Sequence, residues 1–211
     1  MLIFPPVLNQ PNIFITSCHV FIFSAVLLVG CAFHPTTQPT ERWNQPCDKC
    51  ILGVGNFAKV TPKLWRGAQP TEEGFRNLEK AGVKTVISLR DEHDDFDNFS
   101  QLGGAKTLKY LRIPMHAWDP DEAQLIVFMN VLERALKDPD IYPVFIHCAE
   151  GKDRTGYSVA FYRMLSQHWD SNNAILEMYD FGFNEIWFRN PDFLKSLDIK
   201  KLNELMKRIP R

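Results

Sequence analysis

The first 40 residues contain no Lys, Arg, Asp or Glu. All 24 basic and 25 acidic residues fall in the remainder of the 211-residue chain, so the N-terminal stretch cannot be the surface of a globular domain and the rest can. A basic excess is also missing. The net charge of −1 argues against a nucleic-acid binder that works by bulk positive charge. Cysteine is sparse: Cys18, Cys31, Cys47, Cys50 and Cys148 are too few and too scattered for a disulfide framework. Internal repeats and low-complexity tracts are absent, which leaves one soluble domain behind an apolar leader. A domain of roughly 150 to 170 residues buries about two-thirds of its unfolded surface and needs no staples.

From Ile13 to Phe33 the chain is almost wholly apolar. At about 1.5 Å per residue, a helix of that length can cross a bilayer core, so a membrane anchor is the plainer expectation. The sharper one starts at Leu28-Val29-Gly30-Cys31, where an apolar pair and a small residue before Cys resemble a bacterial lipoprotein processing site. On that reading residues 1–30 are a lipoprotein-type signal peptide or membrane anchor. Residues 31–56 are a lipidated N-terminus, acylated at Cys31, with a tether rich in Pro, Thr and Gln, and residues 57–211 are the folded domain. The domain is then expected on the periplasmic side of a membrane. No Lys or Arg precedes the apolar run, unlike an ordinary secretory leader.

Within the domain, Gly and Pro punctuate alternating apolar runs and amphipathic stretches, the pattern of an α/β fold. Leu64-Trp65-Arg66 reads as a short strand. Thr71 caps a helix with Glu72 and Glu73 in its first turn, Phe75 and Leu78 on its apolar face and Gly82 at its end. Val83–Leu89 and Leu108–Ile113 read as strands, the second closed by Pro114. A helix is expected from Asp121 to Lys137, where Leu125, Phe128, Met129, Leu132 and Leu136 share one face. Tyr142–His147 is a strand that feeds a loop and a helix from Thr155 to Gln167. Helices at Asn172–Tyr179 and ending near Arg208 complete the domain.

The chemistry lies in His147-Cys148-Ala149-Glu150-Gly151-Lys152-Asp153-Arg154-Thr155-Gly156. A loop between a strand and a helix N-terminus turns several backbone N–H groups into one concavity, where the helix dipole adds positive potential. Such a site lowers the pKa of a cysteine at its base from about 8.5 into the range of roughly 3.5 to 7.5. An arginine six residues later offers a planar fork to two phosphoryl oxygens. Phosphoryl transfer to sulfur is the natural reaction of that pair.

At these residues the chain resembles the cysteine-dependent protein phosphatases, whose signature is His-Cys, five residues, then Arg-Ser/Thr. The resemblance implies that Cys148 attacks phosphorus, that Arg154 binds and stabilises the transferring group, and that Thr155 helps the sulfur leave. Ala149, Glu150, Gly151, Lys152 and Asp153 would cradle the phosphate, His147 would buttress the loop, and neither metal nor cofactor would be needed. Leu64-Trp65-Arg66-Gly67-Ala68-Gln69-Pro70, the VKTVISLR strand, Tyr162-Arg163, Gln167, Trp169 and the Ile175–Phe183 stretch extend the likeness over roughly residues 57–185. They look like the small bacterial dual-specificity phosphatases, in particular exported, periplasmic tyrosine phosphatases of Gram-negative species. This implies a single α/β domain, monomeric, with a parallel-dominated sheet of four to five strands flanked by helices. Its shallow pocket would admit phosphotyrosine and sometimes phosphoserine or phosphothreonine.

The leaving oxygen needs a proton, which the family draws from an Asp on a loop ahead of the nucleophile's strand. Asp119, between Trp118 and Pro120, is the first choice. Asp121 is a rival whose alternative role is helix capping, and Asp153 is a third, because a Gly-Lys-Asp-Arg loop also occurs in phosphatases that act on phosphoinositides. An inositol phosphate is accordingly the alternative substrate. Lys152 would suit a polyanion, but Glu150 and Asp153 offset the charges of Lys152 and Arg154 within the loop. Cys47 and Cys50 have redox-motif spacing without a second ligand pair for zinc, and are expected either as a local disulfide or as two loop thiols. The basic residues after Pro191 are expected on a solvated helix face.

Overall fold

The structure is a computed structural model that describes residues 45–92 and 107–209. The expected leader at 1–30, the lipidation site Cys31 and the tether to residue 44 lie outside the described residues. Five strands are present: β1 (Ala58–Lys59), β2 (Leu64–Gly67), β3 (Thr85–Arg90), β4 (Lys109–Met115) and β5 (Val144–His147). Among the described residues six helices surround them: α1 (Glu72–Lys80), α2 (Glu122–Ala135), α3 (Asp153–Ser166), α4 (Ser171–Asp180), α5 (Arg189–Ser196) and α6 (Ile199–Arg208). A 3-10 turn at Glu185–Trp187 links α4 to α5.

Strand order is β1-β2-β5-β3-β4, parallel throughout except that β1 runs antiparallel to β2. The strand that ends in the cysteine loop is therefore central, and its four residues are all buried. Successive side chains of a strand point to opposite faces, and here each face carries its own core. Leu64, Ile87, Leu89, Val144 and Ile146 pack with Cys148 and buried side chains of α2 to α6. Trp65, Val86 and Phe145 pack on the other side with Phe75 and Leu78 of α1. Strands buried on both faces read as continuous apolar runs, which is why VKTVISL and YPVFIH stand out in the sequence.

Helix starts follow their caps. Thr71 Oγ1 accepts from Gly74 N at 3.1 Å and Asp121 Oδ1 accepts from Ala123 N at 2.6 Å, contacts worth about 1 kcal/mol each. Strand β4 runs through Pro114 rather than stopping at it. Being an edge strand bonded only to β3, with a register shift opposite Ser88–Arg90, it has no ladder bond for a proline to break.

Residues 45–56, assigned to the tether on sequence grounds, are folded onto the domain. Cys47 pairs with Phe57 through two backbone hydrogen bonds of 2.9 and 3.2 Å, and Cys47 and Cys50 form a disulfide. Val54 is buried against Phe57 and Trp65. The short apolar run Ile51–Val54 has too few residues to show a period, so its burial was not readable from pattern. Among the described residues no helix is long and apolar enough to cross a membrane.

Candidate active site

Strand β5 delivers Cys148 to the C-terminal edge of the parallel sheet, where ligands of such sheets bind, and α3 begins five residues later at Asp153. Three carbonyl groups of the intervening loop, those of Ala149, Glu150 and Gly151, are tied to neighbouring segments. Gln69 N donates to Ala149 O at 3.1 Å, Asn56 Nδ2 donates to Glu150 O at 3.3 Å and to Gly151 O at 3.1 Å, and Arg66 Nη2 donates to Gly151 O at 2.8 Å. In a trans peptide the N–H of the next residue points opposite to the carbonyl. The N–H groups of Glu150, Gly151 and Lys152 are thus turned to the other side of the loop, and none has an acceptor among the described residues. A nest of this kind binds an anion.

Gly151 makes the close turn possible. Its φ is +69°, and a Cβ there would meet the carbonyl carbon of Gly67 at 2.5 Å and the nitrogen of Ala68 at 2.7 Å. The loop rests on the backbone at the end of β2, so only glycine fits.

Arg154, the second residue of α3, is nearly buried and is held by two carboxylates that follow β3. Glu92 receives one hydrogen bond from Nη1 and another, of 3.1 Å, from Nη2; Asp91 Oδ1 takes the second Nη1 proton at 2.7 Å. A guanidinium has five N–H groups, and this arrangement uses three. Nε has no partner among the described residues, so the Nε–H and the remaining Nη2–H form a parallel fork, the geometry that takes two phosphoryl oxygens. Burial opposes the Arg154 charge, but the Glu92 hydrogen bond and nearby anions outweigh it and raise its pKa. Reciprocally, the Arg154 hydrogen bond holds the Glu92 carboxyl well below the usual carboxylate range.

His147 is fully buried, stacked on Phe145 with ring centroids 5.9 Å apart, and its Nδ1 lies 3.3 Å from Cys148 O. Burial pushes its pKa down to about 3, so it is a neutral buttress. Thr155 is also fully buried, and its hydroxyl has no partner among the described residues. A group of His, Cys, Asp and Glu residues able to hold a metal ion is absent from the described residues.

Comparison with known proteins places this loop in context. Residues 55–192 match a family model described as DSP-PTPase phosphatase fused to NAD+ kinase. The chain belongs to this dual-specificity phosphatase family. The phosphatase is 32% identical over 166 residues to the dual specificity protein phosphatase TpbA of Pseudomonas aeruginosa, covering 78% of this chain and 71% of that one. The crystal structure of TpbA in complex with phosphotyrosine superposes with a TM-score of 0.64 at 28% identity, over 81% of this chain and 99% of that one. An inositol diphosphatase of Saccharomyces cerevisiae is 25% identical over 182 residues, covering 81% of this chain and 60% of that one.

The phosphatase brings together Cys148, Ala149–Asp153, Arg154 and Thr155, as the motif requires, and separates its three candidate acids. Asp121 caps α2 through Ala123 N and Gln124 N. Asp153 faces away from the loop concavity, accepting from Asn184 N at 2.9 Å, and so ties α3 to the turn before α5. Asp119 is exposed and has no such commitment. Its loop is tied to the catalytic centre twice: Tyr157 Oη donates to His116 O at 2.9 Å, and His116 Nδ1 lies 2.5 Å from the Asp91 carboxylate that also holds Arg154. Lys152 is paired with Glu150 at 2.7 Å, which raises its pKa and offsets its charge.

Sequence reasoning missed Asp91, Glu92, Asn56 and Arg66. The first two had a weak signal, since polar residues just after a strand neighbouring the nucleophile's strand lie at the ligand-binding edge. Asn56 had none: it reaches the loop across 94 residues of chain, from a backbone with φ +51°.

Proposed function

We propose that this phosphatase hydrolyses phosphotyrosine in proteins, and phosphoserine or phosphothreonine less well, through a phosphocysteine intermediate. The Nε/Nη2 fork of Arg154, its Nε without a partner among the described residues and on the same segment as a nest of inward N–H groups and Cys148, is the observation that carries the reading. Cys148 Sγ attacks phosphorus as the P–O bond to the substrate breaks, and Asp119 passes its proton to the leaving oxygen. Water then attacks phosphorus, the S–P bond breaks, and Asp119 takes up the proton of that water. Arg154 and the loop amides hold the equatorial oxygens through both steps. Thr155, whose hydroxyl lacks another partner, donates to the departing sulfur.

Phosphotyrosine is favoured by the aromatic surface beside the loop. Trp118, half exposed, stacks on His116 with ring centroids 5.0 Å apart, and Phe188 is largely exposed on the turn that Asp153 anchors. The pairing of Lys152 with Glu150 removes the free charge that a polyanion would select. We further place the enzyme on the periplasmic side of a membrane, held by a lipid on Cys31 or by the apolar segment before it. The Cys47–Cys50 disulfide suits an oxidising compartment.

Full-length enzyme should hydrolyse an aryl phosphate and phosphotyrosine peptides faster than inositol phosphates, with no activity in Cys148→Ser. Preference for inositol phosphates would replace the substrate assignment, and activity surviving Cys148→Ser would end the mechanism. Mass spectrometry of the mature N-terminus should show acylated Cys31; an unmodified chain retaining residues 1–30 would refute lipidation.

A further inference from the structure

Arg66 is among the largest fully buried side chains, yet among the described residues no carboxylate partners it. It sits on β2 opposite Ile146, one residue before Gly67 meets His147 in register. Residues two apart on a strand share a face, so Arg66 lies on the side of Leu64, the side whose core includes Cys148. Its guanidinium packs 3.9 Å over the ring of Phe181 and donates through Nη2 to the carbonyl of Gly151, while Nε and Nη1 have no partner among the described residues.

The nearest charges explain what is missing. Glu177 on α4 is the carboxylate whose charge acts most on Arg66, but both of its oxygens are engaged by Arg163 of α3, at 2.8 and 2.6 Å. Those two cancel. Arg154 and Arg90 together are matched in turn by Asp91 and Glu92. His147 and Tyr157, the other titratable groups around Cys148, are held neutral by burial. Among the described residues one positive charge is left over beneath the loop, on Arg66. Burial pushes its pKa down to about 10, so it remains a cation at neutral pH. An unpaired buried guanidinium costs several kcal/mol, unless an anion forms beside it. Among the described residues Cys148 is the remaining group here that can supply one, and a negative charge on it acts to raise the Arg66 pKa.

We propose that Arg66 is a positioning residue for this reaction: it anchors the catalytic loop through Gly151 O and furnishes the buried counter-charge of the Cys148 thiolate. The proposal rests on the phosphocysteine reading but is tested without turnover. Cys148 alkylation by iodoacetamide is followed against pH by peptide mass spectrometry in the full chain, for the wild type, Arg66→Met, Arg66→Lys and Asn56→Ala. Each variant's fold is checked by its melting temperature.

Arg66→Met should raise the alkylation midpoint by about one pH unit or more, and Arg66→Lys by less than half of that. Asn56→Ala removes a neutral anchor of the same carbonyls and should leave the midpoint within about 0.3 unit. An unmoved midpoint in folded Arg66→Met overturns the proposal. So does a shift in Asn56→Ala equal to that in Arg66→Met, which would reduce Arg66 to an anchor. Should Arg66→Met not fold, Arg66→Lys decides: a midpoint within about half a unit of the wild type is expected, and a rise of a full unit refutes the counter-charge. Absence of Cys148-dependent hydrolysis in the wild type would count against the phosphatase reading alone.

Discussion

Burying a neutral imidazole under the catalytic loop makes folding sensitive to mild acid, and His147→Asn should remove that sensitivity. The His147 pKa falls from its ordinary 6.5 to about 3 because the ring is fully buried and the nearby Arg90 and Arg154 cations oppose a second positive charge. Between those values the unfolded chain binds a proton that the native state refuses. Stability is therefore full above pH 6.5 and declines as the pH falls towards 3. At about 1.4 kcal/mol per unit, the loss attributable to His147 is about 2 kcal/mol at pH 5 and has a ceiling of about 5 kcal/mol at low pH. Asn keeps an amide donor near the place of Nδ1 and does not titrate. Urea unfolding followed by tryptophan fluorescence, at pH 7 and pH 5, gives the required free energies. Both proteins should carry Cys148→Ser so that no thiolate titrates in the same window, and other groups cancel in the comparison. The protein retaining His147 should lose about 2 kcal/mol more than the Asn variant between the two pH values. Equal losses would show that the ring is solvated or charged in the native state and would refute the reasoning.

Gly151→Ala places a Cβ on the Gly67 backbone at a positive φ, and should lower stability by about 2 kcal/mol or more and kcat/KM by at least about a hundredfold; melting curves and aryl phosphate kinetics measure both. Glu92→Gln loses one charge-assisted contact of the guanidinium and should reduce kcat/KM about tenfold, chiefly through KM; an unchanged KM would mean that Glu92 does not orient Arg154. Glu177→Gln strands Arg163 in the core and should cost about 3 kcal/mol, read by chemical denaturation. Asp119→Asn should lower kcat about a hundredfold for a phenyl phosphate and much less for a nitrophenyl one, and a larger effect of Asp121→Asn or Asp153→Asn would move the acid there.

Local features were legible wherever one segment carried its own explanation. Thr71 and Asp121 announce helices because capping is settled within three residues, and Val144–His147 announces a buried strand because every one of its side chains meets a core. Pro114 misled because a missing N–H matters only where a ladder bond would be, and the edge position of β4 is a property of the sheet. The C-terminal region hid a separate helix, α5, whose single turns of apolar residues are too short for a period to show.

The catalytic loop shows the same division. His147 to Gly156 holds the candidate nucleophile, the loop backbone and the arginine on one contiguous segment, and that is why the phosphatase family could be read from the sequence alone. What tertiary structure decided is how those groups are held: Asn56 and Arg66 hold the carbonyls outward, Asp91 and Glu92 take up only one side of Arg154, and Asp121 and Asp153 accept backbone hydrogen bonds away from the loop. The partners of the loop and of Arg154 come from 60 to 95 residues away. Hydrogen bonds and buried charge depend on distance in space, and chain order carries no trace of them until the sheet brings its strand ends together.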